Sequence, residues 1–95
     1  MRKLNIPTIK NIETALNIYY RHPEIGNKEI AELFGNISNT RIAKLKQIVK
    51  VEMIEKNIMS YSSNKINTEV AFVVWGLDVE NLAHRMRMLS KLKLA

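Results

Sequence analysis

A cluster of cations without neighbouring carboxylates is the part of this sequence best suited to chemistry. The stretch between Glu32 and Glu52 contains no acidic residue. Its cations are Arg41, Lys44, Lys46 and Lys50. Positive charge concentrated in this way attracts a polyanion, and nucleic acid is the first partner to consider. The formal net charge of +6 and the pI of about 9.8 favour the same class of partner.

Length and composition indicate a single globular domain. The chain has 95 residues, of which 46% are hydrophobic and 25% are charged, which is typical of globular proteins. The absence of cysteine excludes a disulfide framework, thiolate metal ligands and a thiol nucleophile. No stretch approaches the ~20 apolar residues of a membrane span, and the basic N-terminus lacks the apolar run of a signal peptide. We therefore predict a cytoplasmic protein that does not contact a membrane.

Nothing in the sequence indicates catalysis. His22 and His84 lie in different segments, and a metal site needs three or four converging ligands. The serines Ser60, Ser62 and Ser63 have no glycine-rich elbow around them, and no phosphate-cradling GxxxxGK[ST] or GxGxxG motif occurs. We predict that the protein is not an enzyme and that it uses no metal, no cofactor and no small-molecule ligand.

Helical periodicity predicts two short helices in the first part of the chain. The first covers Thr8 to Tyr20, with Thr8 as its cap and Pro23 beyond its end. The second covers Lys28 to Phe34, with Asn27 as its cap. Gly35 then suits a left-handed C-terminal stop.

A third helix is predicted from the cap Ser38 onward. Its core-facing side is formed by Ile42, Leu45, Val49 and Met53. The opposite side is polar at first, with Thr40, Lys44 and Gln47, and becomes apolar later, with Val51, Ile54 and Ile58. A helix with two apolar sides near its end needs a packing partner on each side. We expect the C-terminal region, a second subunit or both to cover the second side.

The C-terminal third contains a loop, a segment that suits either a strand or a helix, and a final helix. Residues Met59 to Thr68 read as a polar loop, and Thr68 to Trp75 suits either a strand or a helix with Glu69 in its first turn. A final basic helix, capped by Asp78, is predicted from apolar residues that recur every three or four positions. These residues are Val79, Leu82, Met86 and Leu89.

The stretch from Asn27 to Val49 resembles the helix-turn-helix DNA-binding superfamily, which includes small bacterial and phage transcriptional regulators. The resemblance covers about 23 residues and rests on a small residue, a glycine four positions later, a polar cap and a branched apolar residue. These are Ala31, Gly35, Ser38 and Ile42. The sequence has two residues between the glycine and the cap where the superfamily usually has one, so the turn is one residue longer.

The resemblance implies roles for nine residues of this sequence. Base edges in the major groove would be contacted by Asn39, Thr40, Lys44 and Gln47. Phosphates would be contacted by Arg41, Lys46, Lys50 and Lys28. Ser38 caps the recognition helix and leaves its first N–H groups near the DNA, where a helix N-terminus can hold phosphate.

The predicted architecture is all-α. Residues 1–58 form a three-helix helix-turn-helix module, residues 59–68 a loop, and residues 69–95 helices that pack on Val51, Ile54 and Ile58 and on a second subunit. The predicted function is sequence-specific binding of double-stranded DNA by a small homodimeric transcriptional regulator.

Two alternatives remain open on the sequence alone. Ile58 to Tyr61 could pair with Glu69 to Val74 as a hairpin that turns at Ser62 to Lys65, which would make a winged helix. The protein could instead be an oligomeric adaptor, such as a phage packaging component, whose DNA contacts are non-specific.

Overall fold

The computed structural model describes residues 6–60 and 64–94, and most of them are helical, as predicted for an all-α chain. The described elements, in chain order, are α1 (Ile12–Arg21), β1 (Glu24–Ile25), α2 (Asn27–Phe34), α3 (Asn39–Glu55), β2 (Ile66–Asn67), α4 (Thr68–Val74) and α5 (Val79–Leu94). The predicted hairpin turn at residues 62–65 and the serines Ser62 and Ser63 fall partly or wholly outside the described residues.

Helix α1 begins later than the sequence pattern predicts. Its cap is Asn11, whose Oδ1 accepts a hydrogen bond of 2.7 Å from the backbone N–H of Thr14. The predicted cap at Thr8 is wrong because the preceding backbone is held elsewhere: the N–H of Lys10 donates to the carbonyl oxygen of Leu33 at 2.8 Å. The chain therefore runs along the end of α2 before it turns into α1.

Helices α2 and α3 and the turn between them largely match the prediction. Helix α2 is capped by Gly26 rather than Asn27, because the Glu29 carboxylate accepts a hydrogen bond of 2.8 Å from the Gly26 N–H. Gly35 ends α2 at a φ of +77°, in the left-handed region that glycine enters without steric penalty. Ser38 caps α3 as predicted, with its Oγ accepting a hydrogen bond of 3.2 Å from the N–H of Arg41.

A single hydrophobic core joins all five described helices. The predicted inner side of α3 is buried, with Ile42, Leu45, Val49 and Met53 all in the core. Helix α4 contributes Phe72 to the same core, and Trp75, which follows that helix, is also buried. Helix α4 packs on α3, and α5 packs on α1. The loop predicted at residues 59–68 therefore does not separate two cores.

A two-stranded antiparallel sheet ties the segment after α3 to the segment before α2. Glu24 pairs with Asn67, and Ile25 pairs with Ile66. The winged-helix alternative requires a hairpin with strands at residues 58–61 and 69–74. This alternative is wrong, because Glu69 to Val74 are helical. Of the predicted loop, Ile66 and Asn67 belong to β2, and Thr68 begins α4.

The segment from Thr68 to Val74, whose sequence suits either a strand or a helix, forms the helix α4. Asn67 is its cap, with Oδ1 accepting a hydrogen bond of 3.0 Å from the N–H of Val70. The hydroxyl of the buried Thr68 donates to the carbonyl oxygen of His22, which fixes the start of α4 against the end of α1. Gly76, at a φ of +73°, then separates α4 from α5, and Asp78 caps α5 as predicted.

The second apolar side of α3 is not covered by the C-terminal helices, contrary to the prediction. Val51 is 47% exposed and Ile54 is 75% exposed, whereas Ile58 is partly buried against the core. Helix α4 packs on the opposite side of α3, against the residues that form the core. None of the helices in the described part of the chain is long and apolar enough to cross a membrane.

Candidate nucleic-acid interface

The outward face of α3 carries most of the residues singled out from the sequence. Three of them, Thr40, Lys44 and Gln47, recur at intervals of four and three residues and so follow one line along the helix. Asn39 and Arg41 flank the start of this line, and all five side chains are exposed. The buried side of α3 packs on the rest of the chain, so this face is presented to solvent as a unit.

The N-terminus of α3 lies at one end of this face. Its first turn contains no acidic residue, and Ser38, which caps it, is itself exposed. Because the Oγ of Ser38 accepts a hydrogen bond from Arg41, the N–H groups of Asn39 and Thr40 are left for water or a ligand. The partial positive charge of a helix N-terminus adds to that of the Arg41 side chain.

Two further candidates lie beside this face. Lys28 is exposed in the first turn of α2, and Lys50 is partly exposed on α3, five residues before the helix ends at Glu55. Neither Lys28 nor Lys50 is held by a hydrogen bond or an ion pair within the described part of the chain. Their ammonium groups can therefore swing towards an anion without breaking an internal contact.

Lys46 differs from the other cations because its ammonium group joins three segments of the chain. Its Nζ donates to the Oδ1 of Asn27 at 3.1 Å and to the backbone oxygen of Asn64 at 2.6 Å. Burial, and secondly the nearby charge of Lys50, lower the pKa of Lys46 below its ordinary value of 10.5. The structure therefore gives Lys46 a role in positioning α3 against α2, and only its third donor is left for a phosphate.

The sequence reasoning missed Lys65, which the fold brings to the N-terminus of α2. A Cβ placed on Gly26 would lie 3.5 Å from Cγ of Lys65, so this exposed side chain runs alongside the cap of α2. The pairing of β1 with β2 creates this proximity between residues far apart in the chain. No local pattern around Lys65 could have revealed it.

Comparison with known proteins gives no relative for this chain. No protein-family model matches it, and no curated protein or solved structure matches it either. Among the described residues, no three His, Asp or Glu side chains converge to hold a metal ion.

Proposed function

We propose that this protein binds double-stranded DNA in a sequence-specific manner through the exposed face of α3, as a small transcriptional regulator. The observation that carries the proposal is the composition of that face. Five exposed polar or basic side chains cover the first three turns of α3, and no carboxylate lies among them. A helix that enters the major groove must approach phosphates on both sides, where carboxylates would be repelled and cations attracted.

The chemistry of the exposed side chains suits the reading of base edges. Gln47 can make two hydrogen bonds to adenine, Lys44 can donate to guanine, and the methyl group of Thr40 can contact that of thymine. Arg41, Lys28 and Lys50 then serve as phosphate contacts, which set the register of the helix without reading sequence. Lys65 joins them from the segment before β2.

The turn between α2 and α3 supports the same proposal. Ala31, Gly35, Ser38 and Ile42 are the residues on which the helix-turn-helix resemblance rests; Gly35 ends α2, Ser38 caps α3 and Ile42 is buried. Ala31 is partly buried and its carbonyl oxygen accepts hydrogen bonds from the N–H groups of Gly35 and Asn36, which closes the end of α2. Ile37, one of the two residues between Gly35 and Ser38, packs against the core. The longer turn is thus used to bury an apolar side chain.

A dimer is part of the proposal. One recognition helix gives limited affinity, whereas two copies related by a two-fold axis bind half-sites about one helical turn apart. The inverted repeat that such a dimer requires makes the proposal easy to test.

The test is selection from random duplexes at roughly physiological salt, where weak contacts to phosphates alone are suppressed. We expect an inverted repeat to be recovered. The double variant Lys44→Ala/Gln47→Ala should bind this repeat more weakly than the parent protein does. At each base pair that these side chains read, its preference for the selected base over the others should fall by about 1–3 kcal/mol. Recovery of sequences without any consensus would overturn sequence-specific binding.

A matched control separates the loss of charge from the loss of reading. The variant Lys56→Ala/Asn17→Ala removes the same charge and the same kind of amide from exposed positions away from the proposed face. Its selected sequence should equal that of the parent protein. If both double variants weaken binding equally for every duplex, the α3 face does not read sequence.

An oligomeric adaptor is the second candidate, and exposed apolar side chains favour it. Val51 and Ile54 on α3 and Leu92 on α5 are well exposed, as is usual for surfaces that contact another protein. In an adaptor, any binding to DNA would be independent of sequence. Failure to retain duplexes of any sequence in the selection would make this the leading function.

A further inference from the structure

A groove lies where α1, α4 and the start of α5 meet. Its volume is about 450 Å³. It is lined by the aromatic rings of Tyr19 and Phe72 and by three aliphatic side chains, Val73, Leu77 and Val79. Val73 is 69% exposed at its edge, so a ligand can reach the apolar surface from solvent.

The edge of this groove is acidic, although the chain as a whole is basic. Three of the nine acidic residues in the sequence line the groove, and its described lining contains no lysine or arginine. These residues are Glu69, Asp78 and Glu80. The pKa of the Tyr19 phenol is raised, first by burial and then by the negative charge of Glu69, which reflects the same local field. The groove therefore suits an apolar segment that carries positive charge.

The end of α5, from Arg85 to Leu92, has these properties; we call it the α5 tail. Met88 is 46% exposed, Leu89 is 47% exposed and Leu92 is 71% exposed. No acidic residue follows Glu80 in the sequence, and Arg85, Arg87 and Lys91 are exposed around the apolar side chains. The α5 tail therefore presents exposed apolar side chains flanked by positively charged ones.

The α5 tail of one molecule cannot enter the groove of the same molecule. Val79, at the start of α5, lines the groove, and Leu92 lies 13 residues further along the same helix. At 1.5 Å per residue this distance is about 20 Å, and a continuous helix cannot fold back over it. A second copy of the chain can supply the tail.

We propose that the α5 tail of one copy docks into the groove of a second copy, with its cations against Glu69, Asp78 and Glu80. The contact joins unlike surfaces, so it closes either by a reciprocal exchange between two copies or by continuation around a ring. This proposal deepens the self-association that belongs to the proposed function and rests on it for the biological role. We expect the association to be weak and to depend on protein concentration.

The test measures sedimentation of the full chain without DNA over a range of protein concentrations. Val73→Lys places a cation at the groove, and Leu92→Glu places a carboxylate on the tail. Both positions are exposed, so the fold should be retained, and circular dichroism checks this. Each variant alone should remain monomeric where the parent protein associates. Ile54→Lys is the matched control, because it adds a charge at an exposed apolar position on α3, and it should associate like the parent.

Mixing the two monomeric variants gives the sharper result. One copy then keeps an intact tail and the other an intact groove, so an equimolar mixture should form a two-copy complex through this one intact contact, at a higher protein concentration than the parent protein needs if the parent makes two such contacts. If the mixture stays monomeric, or if the parent protein does not associate at any concentration, the docking proposal is overturned. A monomeric parent that still selects a DNA consensus would overturn this contact alone, whereas an associating parent without DNA binding would overturn the proposed function alone.

Discussion

The indole Nε1 of Trp75 donates a hydrogen bond of 3.2 Å to the backbone carbonyl oxygen of Leu45, which fixes the end of α4 against the middle of α3. The indole ring is 3% exposed and meets the ring of Phe34 edge-to-face, with 5.4 Å between the ring centroids. One side chain therefore connects α2, α3 and α4. The face of α3 proposed to bind DNA depends on this support from the opposite side of the helix.

Trp75→Phe should lower the free energy of unfolding by about 1–3 kcal/mol. The substitution removes a hydrogen bond worth about 1 kcal/mol and leaves a space beside Phe34 and Leu45. Denaturant unfolding followed by circular dichroism measures the change. Tyr20→Phe, at a ring that is 68% exposed, is the control and should stay within about 0.5 kcal/mol of the parent protein. Equal stabilities for both variants would contradict a structural role for the indole.

Gly35→Ala should destabilise the turn between α2 and α3 by about 1–2 kcal/mol. The φ of +77° is unfavourable for a side chain with a Cβ, although the space around Gly35 would accept one at 3.8 Å from the Lys10 side chain. Asparagine tolerates this conformation better, so Gly35→Asn should lose less stability. Thermal unfolding of the two variants side by side tests this, and a larger loss for asparagine would show that sterics, not φ, dominates.

Ile54→Glu should leave the stability of the isolated chain within about 0.5 kcal/mol, because the side chain is 75% exposed. Leu45→Ala, one of the buried α3 residues, should cost about 2–5 kcal/mol. Unfolding at low protein concentration, where copies do not associate, compares the two. A large loss for Ile54→Glu would mean that the second apolar side of α3 is covered after all.

The pKa of Lys46 should be below 10.5 in the folded protein, as measured by NMR titration of its side chain. Lys50→Gln should raise that pKa, since it removes the second cause of the shift. Because the folded state disfavours protonated Lys46, the unfolded chain binds more protons between the two pKa values. The contribution of Lys46 to the free energy of unfolding should therefore rise as the pH rises through the lowered pKa towards 10.5. A pKa of Lys46 that does not respond to Lys50→Gln would contradict the proposed repulsion.

Thr68→Val should cost about 1–3 kcal/mol, because it leaves the carbonyl oxygen of His22 without the hydroxyl that bonds it in a buried environment. Thr68→Ser keeps the hydroxyl and is the control. Denaturant unfolding should therefore rank Ser above Val at this position. The reverse order would show that burial of the methyl group matters more than the hydrogen bond.

The sequence predicted those features of the fold that depend on local patterns. The buried side of α3, the stop at Gly35 and the caps Ser38 and Asp78 are confirmed, because helical spacing and capping chemistry are written within a few residues. The same reasoning failed where distant contacts decide. Thr8 and Asn11 can both cap a helix, and the bond from Lys10 to Leu33 determines which one does.

The short sheet and the exposed apolar residues were beyond local reasoning. Strands of two residues show no periodicity, and β1 and β2 exist because Ile25 and Ile66 meet in the core. The pattern indicated that Val51 and Ile54 lie on the side of α3 that faces away from the core. It did not indicate whether any other part of the chain covers them. The candidate interface itself was largely predictable, since exposed cations on an amphipathic helix follow from spacing, whereas the internal bonds of Lys46 required the fold.

The pairing of Ile25 with Ile66 also has a consequence for how the chain folds. This pairing closes a loop of about 40 residues that contains the whole of α2 and α3. These helices therefore gain their full stability only after β2 has paired with β1. A fragment that ends before β2 would lack both this closure and the Trp75 contact. We therefore expect amide protons of α3 and α4 to exchange with solvent together, as one cooperative unit that forms only once β2 and α4 have joined α2 and α3.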